Sequence, residues 1–397
     1  MSDTNSDSPR GDLVKLPRTR GNPRVGLVNL GNTCYMNCAL HALSMTPDFS
    51  RQLLLLDSPS KMIVQMQRLI ALLHFSKYSK IMPTSVLFAT NRAMFTSGLQ
   101  QDCSEYLGHL LNLLHEHEKV MGWLWPSNAT GSSINWVESL DLLLPYSNKM
   151  SIADRSFSGQ LSNIYKCLTC SYESSNPNSF RELQLAFPEG KINQKSRKPN
   201  FTVQGLLDLY CTPEILDGDN KYACPQCAKH CKGERQIKIT EAPLNIIITI
   251  KRFNYNRETQ LRTKLLHKII HDDMITLDLY DSQTLEQTYT MHYRLYAAII
   301  HVGYTLDSGH YYIMARDQQD NWFKFNDSKV AHVKPTEVRN LRSPNSAHVL
   351  MYHLTGKSDP NTEAAEPVVI PIPPVAPLKL NELPTRLHDF VKRNIGK

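Results

Sequence analysis

Residues 26–49, GLVNLGNTCYMNCALHALSMTPDF, run through a turn at Gly31 and then open a helix. Asn32 or Thr33 is placed to cap it. Tyr35, Met36, Ala39, Leu40 and Leu43 follow at helical spacing, and Pro47 ends the run. Cys34 therefore falls in the first turn, where free N–H groups and the positive end of the helix dipole favour a thiolate. A cysteine nucleophile needs that setting. Most cysteines in intracellular chains are simply buried, so the segment needs a partner before chemistry is assigned to it. Cys38, one turn further in, lacks the helix-end benefit and reads as core. Asn29, just upstream, can aim an amide at the oxyanion formed when a thiolate attacks a carbonyl.

The partner stands near the other end, in residues 308–330, SGHYYIMARDQQDNWFKFNDSKV. Two strand-like runs, His310–Arg316 and Trp322–Asn326, flank the polar loop DQQDN and predict an antiparallel hairpin. Centred on Gln319, the hairpin sets Tyr312 opposite Asn326, with His310 diagonal to it on the same face. Asp327 falls on the opposite face. Asn326 is then the better group to orient the imidazole of His310, with Asp327 as the substitute, and a one-residue slip would exchange them. An amide suffices, because Cys–His–Asn is one form of the triad. With 15 histidines in the chain, most do nothing catalytic; His301, in IIHVGY, is the nearest competitor.

Two C-x2-C pairs carry a different chemistry: Cys167 and Cys170 in YKCLTCSYE, Cys224 and Cys227 in YACPQCAKH. Each pair can grip one edge of a tetrahedral zinc, and four thiolates close a structural site with no position left for catalysis. The long interval between the pairs exceeds that of a compact ribbon. Cys211 and Cys231 are spare thiols nearby, and two unrelated inert pairs are the plainer alternative.

The 397 residues suit one large domain or two small ones, and an apolar content of 41% can bury a core without disulfides. Nine cysteines and a polar N-terminus without an apolar stretch argue against a secreted chain. No apolar run approaches a membrane span. A net charge of +7 from scattered basic residues does not call for nucleic acid. Matches to the glycosylation motif at Asn128, Asn200 and Asn326 carry little weight in such a chain. The expected location is intracellular, cytosol or nucleus or both.

The first third reads as helices: Met62, Ile63, Met66, Leu69, Ile70 and Leu73, then Leu107, Leu110, Leu111 and Leu114, recur at helical spacing. The last third reads as strands, in NIIITIKRF, HYRLYAAII, HYYIMAR, WFKF and HVLMYH. Helices followed by strands, without βαβ alternation, imply an α+β fold. Residues 1–24 are expected to form a disordered tail. Residues 355–397 read as a Pro-rich linker and a short amphipathic helix with Leu387, Phe390 and Val391 on one face, a solvated tail whose helix docks weakly, with a partner-binding segment as the alternative. In QQDCSEYLGHLLNLLHEHE, Asp102 and Glu105 sit in the first turn of a helix, where capping is the plain reading. The closing HEHE is not a zinc-hydrolase motif and reads as a solvated helix end.

Taken in order, GLVNLGNTCYMNCALHAL, QQDCSEYL, the two C-x2-C pairs, PLNIIITIKRF and SGHYYIMAR…WFKFNDSKV resemble the boxes of the ubiquitin-specific protease family. The resemblance covers about residues 25–354. It implies a papain-like cysteine protease with a helical thumb (about 25–154), zinc-ribbon fingers (about 155–243) and a β-rich palm (about 244–354). It implies cleavage after the C-terminal glycine of ubiquitin, with ubiquitin and ubiquitinated proteins as partners. Motif matching makes Cys34 the nucleophile, His310 the base and acid, Asn326 the orienting residue and Asn29 the oxyanion donor. It makes Cys167, Cys170, Cys224 and Cys227 ligands of a structural zinc ion. It also gives Asp102 and Glu105 a basic ubiquitin tail to bind, beyond capping. Cys38, His41, Cys103 and Ser104 depart from the family's usual residues without removing a catalytic group.

Overall fold

The computed structural model describes residues 24–90, 95, 98–120, 150–188, 201–256, 261–305, 308–360, 370–371 and 374–394. Most of the N-terminal tail, Asn128, Asn200 and part of the Pro-rich stretch lie outside them. The helical half contains α1 (Cys34–Ser44), α2 (Pro47–Leu55), α3 (Lys61–Phe75), α4 (Thr84–Thr90), α5 (Cys103–Val120) and α6 (Ile152–Phe157). Pro47 both stops the α1 run and starts α2, since a first-turn position has no N–H to lose. Every residue of α1 is buried, polar ones included, so this helix is the centre of the half rather than an amphipathic surface element.

The other half is a 13-stranded sheet. Its main strands are β1 (Gly159–Cys167), β2 (Glu173–Phe180), β3 (Leu183–Ala186), β4 (Gly233–Glu241), β5 (Asn245–Lys251), β6 (Met274–Tyr280), β7 (Gln287–Val302), β8 (His310–Arg316), β9 (Trp322–Asn326), β10 (Lys329–Val333) and β11 (Asn345–Ser358). One path runs β10-β9-β8-β7-β6-β4-β1-β2, and β11 joins β7 to β5, which in turn pairs with β3. The long strand β7 is therefore shared by β6, β8 and β11. Side chains alternate across the sheet. Tyr311, Ile313 and Ala315 of β8 join the core formed with the helices, whereas Tyr312 and Met314 enter a second core on the far face. Covering both faces explains the unbroken run Ile246–Ile248 in β5.

The C-terminal helix, Thr385–Asn394, docks as expected, but more firmly than a weak contact from a solvated tail. It packs on α3, and Leu383, Leu387 and Val391, spaced four apart, are buried in the helical core. Arg386 donates to Ser58 O at 3.3 Å, and Arg68 lies 5.0 Å from the Phe390 ring centroid. HEHE is likewise docked rather than solvated. His115 Nδ1 is 2.7 Å from Asp154 Oδ2, and Glu118 accepts from Ile152 N at 2.9 Å, tying α5 to α6. No helix among the described residues is long and apolar enough to cross a membrane.

Candidate active site

The turn before α1 is tied by Asn29, whose Oδ1 accepts from the N–H groups of Gly31 (3.0 Å) and Thr33 (3.1 Å). Gly31 (φ +97°) and Asn32 (φ +54°) are both left-handed there, which glycine and asparagine tolerate best. Thr33 takes the cap position, yet its hydroxyl turns back to accept from Leu30 N at 2.8 Å. No side chain caps α1, so none competes for the N–H groups of its first turn. Cys34 is the first residue of that turn and is 3% exposed. Burial pushes the thiols of Cys38 and Cys103 well above their ordinary range, and Cys103 donates to Tyr35 O at 3.2 Å.

The hairpin has the register that its loop predicts. Ile313 pairs with Phe325, Met314 with Lys324, Ala315 with Phe323 and Arg316 with Trp322. His310 Nε2 stands 2.6 Å from Asn326 Oδ1. Hydrogen bonding to Cys34 is the largest influence on the imidazole. It outweighs desolvation, and with help from Asn326 it holds the pKa up at about 9. The structure thus brings Cys34, His310 and Asn326 together from opposite ends of the chain.

Asp327 serves a different contact. It is left-handed (φ +50°), and its Oδ2 is 3.9 Å from His310 Nε2, beyond hydrogen-bond range. The carboxylate instead accepts from Asn29 Nδ2 (3.1 Å) and Asn37 Nδ2 (2.8 Å), and its backbone oxygen accepts from Leu27 N (3.0 Å). It fastens the histidine hairpin to the cysteine segment. Sequence reasoning missed Asn37; the signal was a polar side chain on a helix whose neighbours are all core. His301, the competitor, is buried, and desolvation followed by the charge of Lys264 takes its pKa down to about 3.

Asp102 caps α5, accepting from Ser104 N (2.7 Å) and Glu105 N (3.2 Å). Its carboxylate also pairs with His348 Nε2 at 3.0 Å, a partner the sequence did not suggest. Burial opposes ionisation, but bonding to His348 and to those backbone amides holds the carboxyl below its ordinary range. Glu105 is exposed.

At the far end of the sheet, Cys167, Cys170, Cys224 and Cys227 have all their Sγ atoms within 4.8 Å of one another. The Cys170–Cys224 and Cys167–Cys227 sulfurs are 3.6 and 4.0 Å apart, too long for disulfides. Thiolates about 2.3 Å from a tetrahedral zinc lie about 3.8 Å from each other, so the donor set fits that ion. Of the spare thiols, Cys231 is buried against this cluster.

Helices packed on a curled sheet, with a thiol at a helix start facing an imidazole across the seam, define a papain-like fold of the cysteine-hydrolase class. The chain belongs to the ubiquitin carboxyl-terminal hydrolase family, whose model matches residues 25–352, and within it to the ubiquitin-specific proteases. It is 26% identical over 356 residues to ubiquitin carboxyl-terminal hydrolase 4 of Arabidopsis thaliana, covering 83% of this chain and 93% of that one. Identity to human ubiquitin carboxyl-terminal hydrolase 35 is 22% over 506 residues, covering 86% of this chain but 49% of the human protein. The chain thus spans nearly all of one relative and about half of another. Among solved structures, the SAGA Ubp8/Sgf11/Sus1/Sgf73 DUB module bound to ubiquitin aldehyde matches with a TM-score of 0.63 and 21% identity. That match covers 86% of this chain and 72% of that one.

Proposed function

We propose that this protein is a thiol protease that hydrolyses the isopeptide or peptide bond after the C-terminal glycine of ubiquitin, using Cys34, His310 and Asn326. The observation that carries the reading is the 2.6 Å contact of Asn326 Oδ1 with His310 Nε2, in a hairpin whose imidazole answers to Cys34. With Nε2 engaged by the amide, Nδ1 is the nitrogen left to exchange a proton with the thiol. The Cys34 thiolate attacks the glycine carbonyl, and His310 then protonates the departing amine. Water hydrolyses the thioester, with His310 as base. An amide nitrogen carries two hydrogens. Asn29 gives one to Asp327, which fixes its orientation, and the other serves the oxyanion beside the backbone N–H of Cys34.

Glu105, exposed beside the capping Asp102, offers the basic tail of ubiquitin a carboxylate, and Asp102 adds the carboxylate that also bonds His348. Cys167, Cys170, Cys224 and Cys227 would hold zinc, which when bound supplies cross-linking of the finger tips and no catalysis. The division into thumb, fingers and palm near residues 154 and 243 follows the change from helices to the cysteine-tipped strands and then to β5. The test is turnover of a fluorogenic ubiquitin amide beside a second modifier ending in Gly-Gly. The reading expects selective turnover of ubiquitin that Cys34→Ala abolishes while ubiquitin binding persists. Binding without turnover by the wild type would make the protein a scaffold, and turnover of only the other modifier would change its substrate.

A further inference from the structure

Lys264 is a half-buried cation whose partners at the seam are a ring nitrogen and two carbonyls. Its Nζ donates to Gly303 O at 2.7 Å, lies 2.8 Å from His301 Nδ1 and reaches His301 O at 3.4 Å. Lys264 ends the short strand Leu261–Lys264, whereas His301 belongs to the last residues of β7. The three acceptors cluster where the chain leaves β7 for the loop that returns as His310. Across the ladder, Val302 is paired with His310 and His301 with Tyr311. The amine therefore grips the strand end directly opposite the imidazole.

His301 carries that grip further. Because Nδ1 accepts from Lys264, the ring proton sits on Nε2. This edge of the ring lies against Gly309: a Cβ added there would come within 2.5 Å of both His301 Nε2 and Val302 O. The residue before His310 thus rests on a ring whose orientation Lys264 sets. The ring also lies 4.8 Å, centroid to centroid, from Tyr311, which stands 6.0 Å from His348, the partner of Asp102. Burial, then the charge of Arg252, brings the Lys264 pKa down to about 8. Holding an amine here against desolvation is unfavourable unless its donors are used, and the three acceptors use them.

We infer that Lys264 is a positioning residue for the reaction. It fixes the turn at His301–Gly303 and, through the His301 ring, the backbone that presents His310 to Cys34. It acts through its neighbours rather than on the reacting atoms. The inference rests on the Cys34–His310 reading above.

The full-length wild type, Lys264→Met, Lys264→Arg, His301→Gln and His310→Ala would be compared, with exposed Lys268→Met as the control. Two quantities are read: kcat and KM for the fluorogenic ubiquitin amide, and the pH dependence of Cys34 alkylation by iodoacetamide, followed by mass. Lys264→Met should lower kcat about 10- to 100-fold, with KM changed by less than about threefold. Its alkylation curve should move toward that of His310→Ala. Lys264→Arg, which keeps a donor for Gly303 O, should lose less, and His301→Gln should lose kcat with the same signature. Lys268→Met should match wild type.

An unchanged kcat, or a rise in KM alone with a wild-type alkylation curve, would overturn the inference. Should Lys264→Met not fold, Lys264→Arg and His301→Gln decide it by the same criteria. A wild type with neither turnover nor a His310-dependent alkylation curve would instead sink the active-site reading. That outcome is distinct from an active wild type matched by Lys264→Met.

Discussion

The cleft and the finger tips use the same side chain in opposite ways. At the tips, four thiols stand within 4.8 Å of one another, each pair delivered by one tight turn. At the cleft, Cys34 stands at the start of α1, and the imidazole that interacts with it comes from the far end of the chain. A ligand set can be gathered by local geometry, since two cysteines three residues apart already share an edge of the tetrahedron. A nucleophile of the proposed kind requires topology, because its base and orienting amide come from a hairpin remote in sequence, although its oxyanion donors lie in its own segment. Cys38 marks the boundary between these uses: one turn along the same helix, fully buried, it is only packing.

The largest predicted contrast comes from removing one thiol in each region. Cys34→Ala should reduce ubiquitin turnover by about 10⁴-fold or more while leaving the melting temperature and ubiquitin binding unchanged. Cys224→Ser should do the reverse. Metal analysis should show zinc lost, and calorimetry a melting temperature lowered by about 5 °C or more, with activity following the folded fraction. A Cys224→Ser protein as stable as wild type would break the comparison.

The next effect separates two neighbours in the cleft. Asn326→Ala should lower kcat about 100-fold with little loss of stability, because it frees the imidazole. Asp327→Ala should lower stability by about 1–3 kcal/mol in chemical denaturation, because it removes the 2.8 Å acceptor of buried Asn37 and leaves only the longer contacts with Leu27 O and Val28 O. Similar stability losses in both variants would show that the hairpin is held as a unit and that the division of roles is wrong.

Titration sharpens the same contrast. Cys34 is the first cause of the raised His310 pKa, so Cys34→Ala should lower it from about 9 toward the ordinary value, while Cys224→Ser should leave it in place. NMR of the imidazole C–H reads this directly. A raised histidine pKa contributes stability fully below the unfolded value of about 6.5. That contribution is lost as pH rises through about 9, so the stability difference between wild type and His310→Ala should narrow across that interval. The smallest expected change is Glu105→Gln, which should raise KM for ubiquitin a few-fold at unchanged kcat, because the side chain is exposed and screened.

How much of this was legible depended on range. The start of α1, the hairpin register and the cysteine pairs were readable because each is set within a few residues: a turn at Gly31, a five-residue polar loop, a two-residue gap. The α+β class followed from the order of periodicities. The Asp102–His348 pair, the hold of Asp327 on Asn29 and Asn37, and the Lys264–His301 contact were not readable. They join elements remote in the chain whose neighbourhood only the packing of helices and hairpins onto the sheet creates. The firmness with which the C-terminal helix docks was underestimated for a related reason. Its apolar face was visible, but whether α3 still had a free side to receive it was not.

The most direct test of the central claim is intact mass after incubation with ubiquitin bearing a thiol-reactive electrophile in place of its C-terminal carboxylate. Wild type, Cys34→Ala, His310→Ala and Cys224→Ser would be run together with a second modifier as control. The account predicts a single ubiquitin adduct on wild type and on folded Cys224→Ser, none on Cys34→Ala and a slowed one on His310→Ala. An adduct that persists in Cys34→Ala, or none on folded wild type, would contradict it.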